Sequence, residues 1–177
     1  MDTVGKGRFE AALDYLKKAR TVDPERIAAI GYCFGGATVL HMARLGVDLK
    51  GVASFHGNLA TKTPAQAGQV KARVLVCHGA DDAFIPSEQI TAFKKEMDDA
   101  KVDYKFISYE DAKHSFTNPD ADVYGPALAL GGGEARQKNR TGSGIYFECS
   151  RRSRRGSSNP NITRTGYSHS FRFAGSK

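Results

Sequence analysis

RIAAIGYCFGG, residues 26–36, joins a short apolar run to a glycine-rich turn. The run RIAAIGY is nearly all apolar, which is typical of a parallel β-strand covered on both faces. Directly after it, CFGG opens a helical pattern that continues through TVLHMARLG and closes at Gly46. A strand that turns tightly into a helix is the building unit of an α/β protein, so this stretch sets the expected fold class.

The same alternation of strand and helix recurs along the chain on both sides of this stretch. An amphipathic helix with basic side chains in its last turn is predicted over residues 7–20, and a second one over SEQITAFKKEMDDAK. The remaining predicted strands are GVASFHG (51–57), RVLVCHG (73–79) and YKFISY (104–109). Alternation at these lengths predicts an α/β fold with a doubly wound, mostly parallel sheet.

Charge and composition divide the 177-residue chain into two parts. Residues 1–124 carry sixteen basic and seventeen acidic side chains, net −1, whereas residues 125–177 carry ten basic and two acidic ones, net +8. The second part is rich in Gly, Ser and Arg and has too few aliphatic residues to offset the entropy of ordering it. We therefore predict an α/β domain over 1–124 and a largely disordered basic tail over 125–177.

Cys33 occupies the predicted turn between strand and helix. Gly31 and Gly35 flank it in a G-x-C-x-G arrangement, and small residues there allow a nucleophile elbow with cysteine where many hydrolases have serine. The N-terminus of the next helix favours a thiolate, and the backbone N–H of Phe34 is placed to bind a developing oxyanion. Taken alone, a cysteine at the end of an apolar run is more often a small buried hydrophobe.

Two other predicted strand ends carry the groups that a cysteine nucleophile needs. Asp81 and Asp82 follow strand 73–79, and His114 follows strand 104–109. Ligands bind beyond the carboxyl ends of the strands in such sheets, and a reactive thiol needs an imidazole whose tautomer a carboxylate fixes. Aspartates also begin turns, and histidines occur in loops. The joint placement in the order Cys, Asp, His, which is the chain order of the hydrolase triad, favours a site.

The remaining histidines and cysteines are weaker candidates. Cys77 lies inside a predicted strand without a glycine turn, so packing is the favoured interpretation. His41 falls within a helix, and His56 and His78 each precede a glycine at a strand end, where local hydrogen bonding is the simpler role. The three cysteines of the chain are too widely spaced for a disulfide framework or a metal-binding pair.

Four blocks in order, RIAAIGYCFGG, SFHG, VLVCHGADDAFIP and HSFTNPDAD, resemble the dienelactone hydrolase family of α/β-hydrolases. The resemblance covers residues 7–124. It implies hydrolysis of a lactone or carboxylic ester through a cysteine nucleophile and an acyl-enzyme intermediate, with neither a metal nor an organic cofactor. Matched by position, the nucleophile falls on Cys33, the acid on Asp82 and the base on His114, with the Phe34 N–H in the oxyanion hole.

The chain departs from that family at both ends. The family's sheet begins well before the nucleophile strand, so strand 27–32 is expected to form an exposed edge through which copies of the chain could associate. After NPDADVYG the family continues into a helix rich in Trp, Phe and acidic residues, whereas this chain turns to Arg, Ser and Gly. The resemblance therefore implies an N-terminally truncated, partial α/β-hydrolase fold with a C-terminal tail foreign to the family.

Two classes of function follow from these observations. The first is a cysteine hydrolase with a small-molecule lactone or ester substrate. The second is a non-catalytic product of the same fold, either an incompetent truncated hydrolase or a binding protein whose tail contacts nucleic acid. SRRSRRGSS (150–158) is typical of salt-sensitive phosphate binding, but no aromatic platform accompanies it. The sequence has neither a long apolar run nor a signal peptide, so we expect no membrane partner and a cytoplasmic location.

Overall fold

The computed structural model describes residues 3–118, 120 and 121, together with the strands 147–153 and 167–173. The chain divides into two units, Met1–Arg136 and Gln137–Lys177. The described elements of the first unit are α1 (Thr3–Lys17), β1 (Ala28–Tyr32), α2 (Phe34–Arg44), β2 (Gly51–Phe55), β3 (Arg73–Gly79), α3 (Ser87–Asp99) and β4 (Tyr104–Tyr109). In the described part of the chain, every helix is too short or too polar to cross a membrane.

The four strands of the first unit form one parallel sheet in the order β1-β2-β3-β4. The inner strand β3 is buried from Val74 to Gly79, as expected for a strand with neighbours on both sides. The predicted α/β fold with a parallel sheet is therefore confirmed. Among the described strands β1 is an outer strand, as predicted, and its Ile30 and Tyr32 are 50% and 54% exposed.

Apolar side chains of the helices pack on this sheet to form the core. Phe93 of α3 makes ring contacts with Tyr104 and Phe106 of β4, at centroid distances of 6.1 and 6.2 Å. Met97 lies one helical turn beyond Phe93 on the same face and is also buried. Leu13 of α1 is buried in the same cluster. Helix α2 packs on β1 and β2, which fixes the start of that helix beside the ends of both strands.

Several element boundaries differ from the sequence predictions, most clearly those of α1 and β2. Helix α1 begins at Thr3 and ends at Lys17 instead of covering 7–20, because the N–H of Ala19 bonds the carbonyl of Leu16 in a tighter i→i−3 turn. Strand β2 ends at Phe55 instead of residue 57, because His56 has φ 39° and leaves the extended conformation.

The second unit contains two described strands, β5 (Phe147–Ser153) and β6 (Tyr167–Phe173), which pair antiparallel with Phe147 opposite Phe173. These strands lie within 125–177, which the sequence predicts to be largely disordered. The signal for β6 is the strict alternation of aromatic and smaller or charged residues in YSHSFRF. The predicted boundary at residue 124 lies outside the described residues.

Candidate active site

Cys33 lies in a strained turn between β1 and α2. Its backbone has φ 50° and ψ −117°, and such a conformation costs a non-glycine residue about 1–3 kcal/mol. Its N–H donates to the Phe55 carbonyl at 3.0 Å, and its own carbonyl accepts from the Ala37 N–H at 3.1 Å. These bonds to β2 and α2 hold the turn and leave the Cys33 side chain exposed at the carboxyl end of β1.

Two glycines make room for this turn. A Cβ on Gly31 would lie 2.1 Å from the carbonyl oxygen of Gly35, and a Cβ on Gly36 would lie 2.6 Å from Oγ of Ser54. The predicted need for a small residue is confirmed at Gly31. At Gly35 that prediction is wrong, because a Cβ there would meet nothing within 4 Å. A side chain at position 31 would meet backbone atoms of Gly35, which any residue at position 35 would also have. The second glycine that the packing requires is Gly36.

His114 reaches the site from the loop that follows β4. Since β1 and β4 are the outer strands, their carboxyl ends are three strand spacings apart, about 14 Å. The loop folds back over the end of β3, where the Asp81 N–H donates to the carbonyl of Ala112 at 2.9 Å. A Cβ on Gly79 would lie 2.4 Å from that same oxygen, so glycine at this position leaves room for the crossing.

The structure brings Cys33, His114 and Asp82 together in one chain of contacts. His114 Nε2 lies 3.3 Å from Cys33 Sγ, and His114 Nδ1 lies 2.8 Å from Asp82 Oδ2. The second carboxylate oxygen accepts the Phe84 N–H at 3.0 Å, and the Asp82 side chain is fully buried. Because the Asp82 carboxylate accepts a hydrogen bond from the Nδ1–H of His114, the other ring nitrogen, Nε2, directs its lone pair towards the thiol. Asp81, in contrast, is exposed.

His56 is a fourth side chain in the site, although its position in the sequence favoured a role in local hydrogen bonding. It is 4% exposed, and its ring centroid lies 4.9 Å from that of His114. Its Nε2 lies 3.0 Å from Thr117 Oγ1, whereas its Nδ1 has no hydrogen-bond partner among the residues that the structure describes. Burial, with a smaller effect of the nearby His114, lowers the pKa of His56 to about 4, so the ring is neutral at pH 7. The signal in the sequence was its position directly after β2.

The other weak candidates lie away from this chain of contacts. Cys77 is buried inside β3, as predicted, and burial raises the pKa of its thiol to about 12. His78 is buried with its ring 5.7 Å from that of Phe106, and burial lowers the pKa of His78. His41 stands on α2, where its Nδ1 lies 3.5 Å from Thr63 Oγ1.

A pocket of about 570 Å³ opens over Cys33. It is lined by Cys33, Phe34, Ala37, His56, Asn58, Phe84, Ile85, His114 and Ser115. This volume lies in the ordinary range for small-molecule sites. Phe34 is the first residue of α2, so its N–H is one of the amides at a helix N-terminus that have no carbonyl partner within the helix.

A second pocket of about 540 Å³ adjoins the first and shares Phe34, Ala37 and Asn58 with it. Arg44 lines this second pocket but is already paired, because its Nε and Nη2 lie 2.8 and 2.9 Å from the two carboxylate oxygens of Glu96. The two pockets together form a cleft that continues from the thiol towards the segment after β2.

Known proteins resemble this chain in sequence and in structure. The model of the dienelactone hydrolase family matches residues 2–137. The chain is 36% identical over 127 residues to the uncharacterized protein K02A2.1 of Caenorhabditis elegans, covering 69% of this chain and 78% of that protein. It is 27% identical over 128 residues to a Bradyrhizobium protein named "probable 2-oxo-3-(5-oxofuran-2-ylidene)propanoate lactonase", covering 68% of this chain and 52% of that protein.

Among solved structures, a dienelactone hydrolase-like promiscuous phosphotriesterase from metagenomic libraries is 39% identical, with a TM-score of 0.66. The match covers 77% of this chain and 57% of that structure. The chain therefore spans little more than half the length of that structure and of the Bradyrhizobium protein. The match to the family model covers more than half of the chain and includes all four strands of the parallel sheet. This chain belongs to the dienelactone hydrolase family.

Proposed function

We propose that this protein hydrolyses a small lactone or carboxylic ester through Cys33 as nucleophile, His114 as base and Asp82 as the acid that orients the base. The observation that carries the proposal is the continuous contact from the thiol through the imidazole to a buried carboxylate. Nucleophile, base and orienting group within hydrogen-bond reach are the arrangement that nucleophilic catalysis requires. The family supports hydrolase chemistry, and the relative named as a lactonase supports the substrate class.

The proposed reaction has two halves. In the first, His114 Nε2 takes the thiol proton, Cys33 Sγ attacks the carbonyl carbon, and the carbonyl electron pair moves to the oxygen, which the Phe34 N–H stabilises. The intermediate collapses to a thioester, and the leaving alkoxide takes the proton from His114. In the second half, His114 activates water, which cleaves the thioester and regenerates the thiol. A lactone substrate thus leaves as one hydroxy acid.

The first test is esterase turnover with para-nitrophenyl acetate and with a small lactone. Cys33→Ala and His114→Ala should each lower kcat by about 10⁶-fold, and Asp82→Asn by about 10⁴-fold. Cys77→Ala is the matched control, because it removes a buried thiol outside the site and should retain turnover. Circular dichroism checks that each variant is folded. Wild-type turnover in Cys33→Ala would contradict the proposal.

Trapping the intermediate tests the covalent step separately from the rate. A slow ester substrate should add one acyl group to the intact mass, and peptide mapping should find that group on Cys33. Iodoacetamide at neutral pH should likewise modify Cys33 and spare Cys77 in the folded protein, because Cys77 is buried and burial raises the pKa of its thiol. Modification of Cys77 at the rate of Cys33 would contradict the described environments.

A phosphotriester is the second substrate class to assay. It is favoured by the structure described as a promiscuous phosphotriesterase, which shares 39% identity with this chain. The same thiolate would attack phosphorus and expel an aryloxide. Release of para-nitrophenolate from a dialkyl para-nitrophenyl phosphate, lost in Cys33→Ala, would support this activity. No release from the wild-type enzyme, alongside measurable ester turnover, would limit the site to carbonyl substrates.

The non-catalytic alternative makes the opposite prediction for the same assays. A binding protein that acts through 125–177 would retain RNA in a salt-dependent way and would show no turnover that depends on Cys33.

The proposal also includes a cytoplasmic location, where a catalytic thiol stays reduced. Self-association through the exposed edge strand β1 is tested by sedimentation of the full chain, with Ile30→Lys as the edge variant.

A further inference from the structure

Three side chains that bind transition metals converge in the pocket. One ligand atom from each of Cys33, His56 and His114 lies within 4.8 Å of the others. Cys33 is exposed to the pocket, whereas both histidines are buried. The proposed hydrolysis uses the thiol and His114 but gives His56 no part. We propose that these three residues form an inhibitory binding site for Zn²⁺, with the fourth coordination position open to the pocket.

The distances suit a tetrahedral ion. With Zn–S near 2.3 Å and Zn–N near 2.0–2.1 Å, neighbouring ligand atoms of a tetrahedral site lie roughly 3.3–3.6 Å apart. Cys33 Sγ and His114 Nε2 are already 3.3 Å apart. Since the ligand atoms all lie within 4.8 Å of one another, His56 has to approach the other two by about 1.5 Å at most. Three protein ligands and one open position are the usual composition of a zinc site that keeps a water molecule.

The surroundings of the two imidazoles match those of metal-binding histidines. A ligating histidine donates its second ring N–H to a carboxylate or another acceptor, which fixes the tautomer and the ring orientation. His114 Nδ1 has this contact with Asp82 at 2.8 Å. His56 Nε2 lies 3.0 Å from the hydroxyl of Thr117, which is such an acceptor, and within the described part of the chain His56 Nδ1 is buried without a hydrogen-bond partner. A buried nitrogen whose lone pair accepts no hydrogen bond destabilises the folded protein. A cation in the pocket would bind that lone pair.

Binding of the ion would consume both reactive groups of the proposed hydrolase. The thiol of Cys33 loses its proton to solvent and the thiolate forms the Zn–S bond, while His114 gives its Nε2 lone pair to the ion. Neither group then remains for attack or proton transfer. The inhibition rests on the proposed function, but the binding does not, so the two can be measured apart.

Cobalt provides the direct test of the ligand set without any substrate. Co²⁺ added to the full chain should bind one ion per chain and produce a thiolate-to-cobalt charge-transfer band in the near ultraviolet. The band should disappear in Cys33→Ser and persist in Cys77→Ser and Cys149→Ser. A band that survives in Cys33→Ser, or no band with the wild-type chain, would overturn the proposal. A band from a chain without esterase turnover would refute the proposed function and leave the metal site standing.

The contribution of His56 distinguishes a three-ligand site from zinc binding by the Cys33 thiol without His56. In competition with a chromogenic chelator, His56→Gln should weaken Zn²⁺ binding by about 100-fold or more, because even second-shell losses cost 10–100-fold. His78→Gln is the matched control, since it removes another buried histidine at a strand end, and it should bind within a few-fold of wild type. Equal affinity in wild type and in a folded His56→Gln would overturn the three-ligand site.

A measurement on the wild-type chain covers the case in which His56→Gln fails to fold. Zn²⁺ at stoichiometric concentration should protect Cys33 from iodoacetamide, and a chelator should restore the modification. Mg²⁺, which prefers oxygen ligands, is the control ion and should not protect. Modification of Cys33 at an unchanged rate in Zn²⁺ would overturn the proposal.

Discussion

Gly31→Ala tests whether the close approach of β1 to the start of α2 builds the site. The added Cβ would lie 2.1 Å from the carbonyl oxygen of Gly35 and 2.2 Å from the carbonyl carbon. Ordinary contacts of a Cβ begin near 3.4 Å, and the obstructing atoms belong to the backbone, which cannot rotate away. The strand and the helix would therefore have to separate by more than about 1 Å.

The expected cost follows from that overlap. Overpacking in a well-packed region costs about 1–3 kcal/mol, and an overlap with backbone atoms lies at or above the upper end of that range. Separation of β1 from α2 also moves Cys33, which lies between them, away from His114. A misplacement near 1 Å costs about 100-fold in rate. We expect a loss of about 3 kcal/mol or more in the free energy of unfolding and a fall of about 100-fold in kcat.

Gly35→Ala is the matched control, four residues away in the same turn. A Cβ there meets nothing within 4 Å, and alanine in a helix is favoured over glycine by about 0.5–1 kcal/mol. Urea unfolding and esterase kinetics are measured on both variants. The change in the free energy of unfolding should have opposite signs in Gly31→Ala and Gly35→Ala, although the chemical change is the same. Wild-type stability in Gly31→Ala would refute the argument that the close approach makes glycine necessary there.

Two further predictions concern stability. Glu96→Ala should lower the free energy of unfolding by about 3–5 kcal/mol, because it leaves the guanidinium of Arg44 buried without its partner, whereas Asp99→Asn in an exposed pair should leave the urea midpoint unchanged. Acid should destabilise the fold, because His56 has its pKa lowered to about 4 and that of His78 is also lowered, so the unfolded chain binds more protons below pH 6.5. Stability should be level above pH 7 and fall by about 3 kcal/mol by pH 4, with a shallower fall in His56→Gln, and urea unfolding at several pH values measures the slope.

The parallel strands could be predicted because a strand buried on both faces needs a short continuous apolar run, and turn residues bound such runs in this chain. RVLVCHG coincides with β3 residue for residue. The ends of elements were harder to predict, because local backbone geometry decides them. The positive φ of His56 ends β2, and α1 includes Gly5 and begins at Thr3, whereas the sequence predicted a start at residue 7.

The candidate site was predictable only in part, because sequence shows which residues follow strands and not how far the loops after them reach. The positions of Cys33, Asp82 and His114 after three strands could be predicted from the chain. The crossing of the His114 loop over Gly79 could not, because it depends on a close contact between backbones far apart in sequence. His56 was underestimated for the same reason, since its importance comes from the ring that the crossing loop places beside it.

The order of the strands explains why His56 belongs to the site. Cys33 follows the outer strand β1 and His114 follows the other outer strand β4, so any contact between them has to pass over the ends of β2 and β3. Asp82, which follows β3, supports the contact between Cys33 and His114. His56, which follows β2, necessarily lies next to that contact. The residues after β1, β3 and β4 therefore determine the proposed hydrolysis. The residue after β2 determines whether the same pocket also holds a metal ion, because it supplies a buried nitrogen that has no other partner in the described ranges.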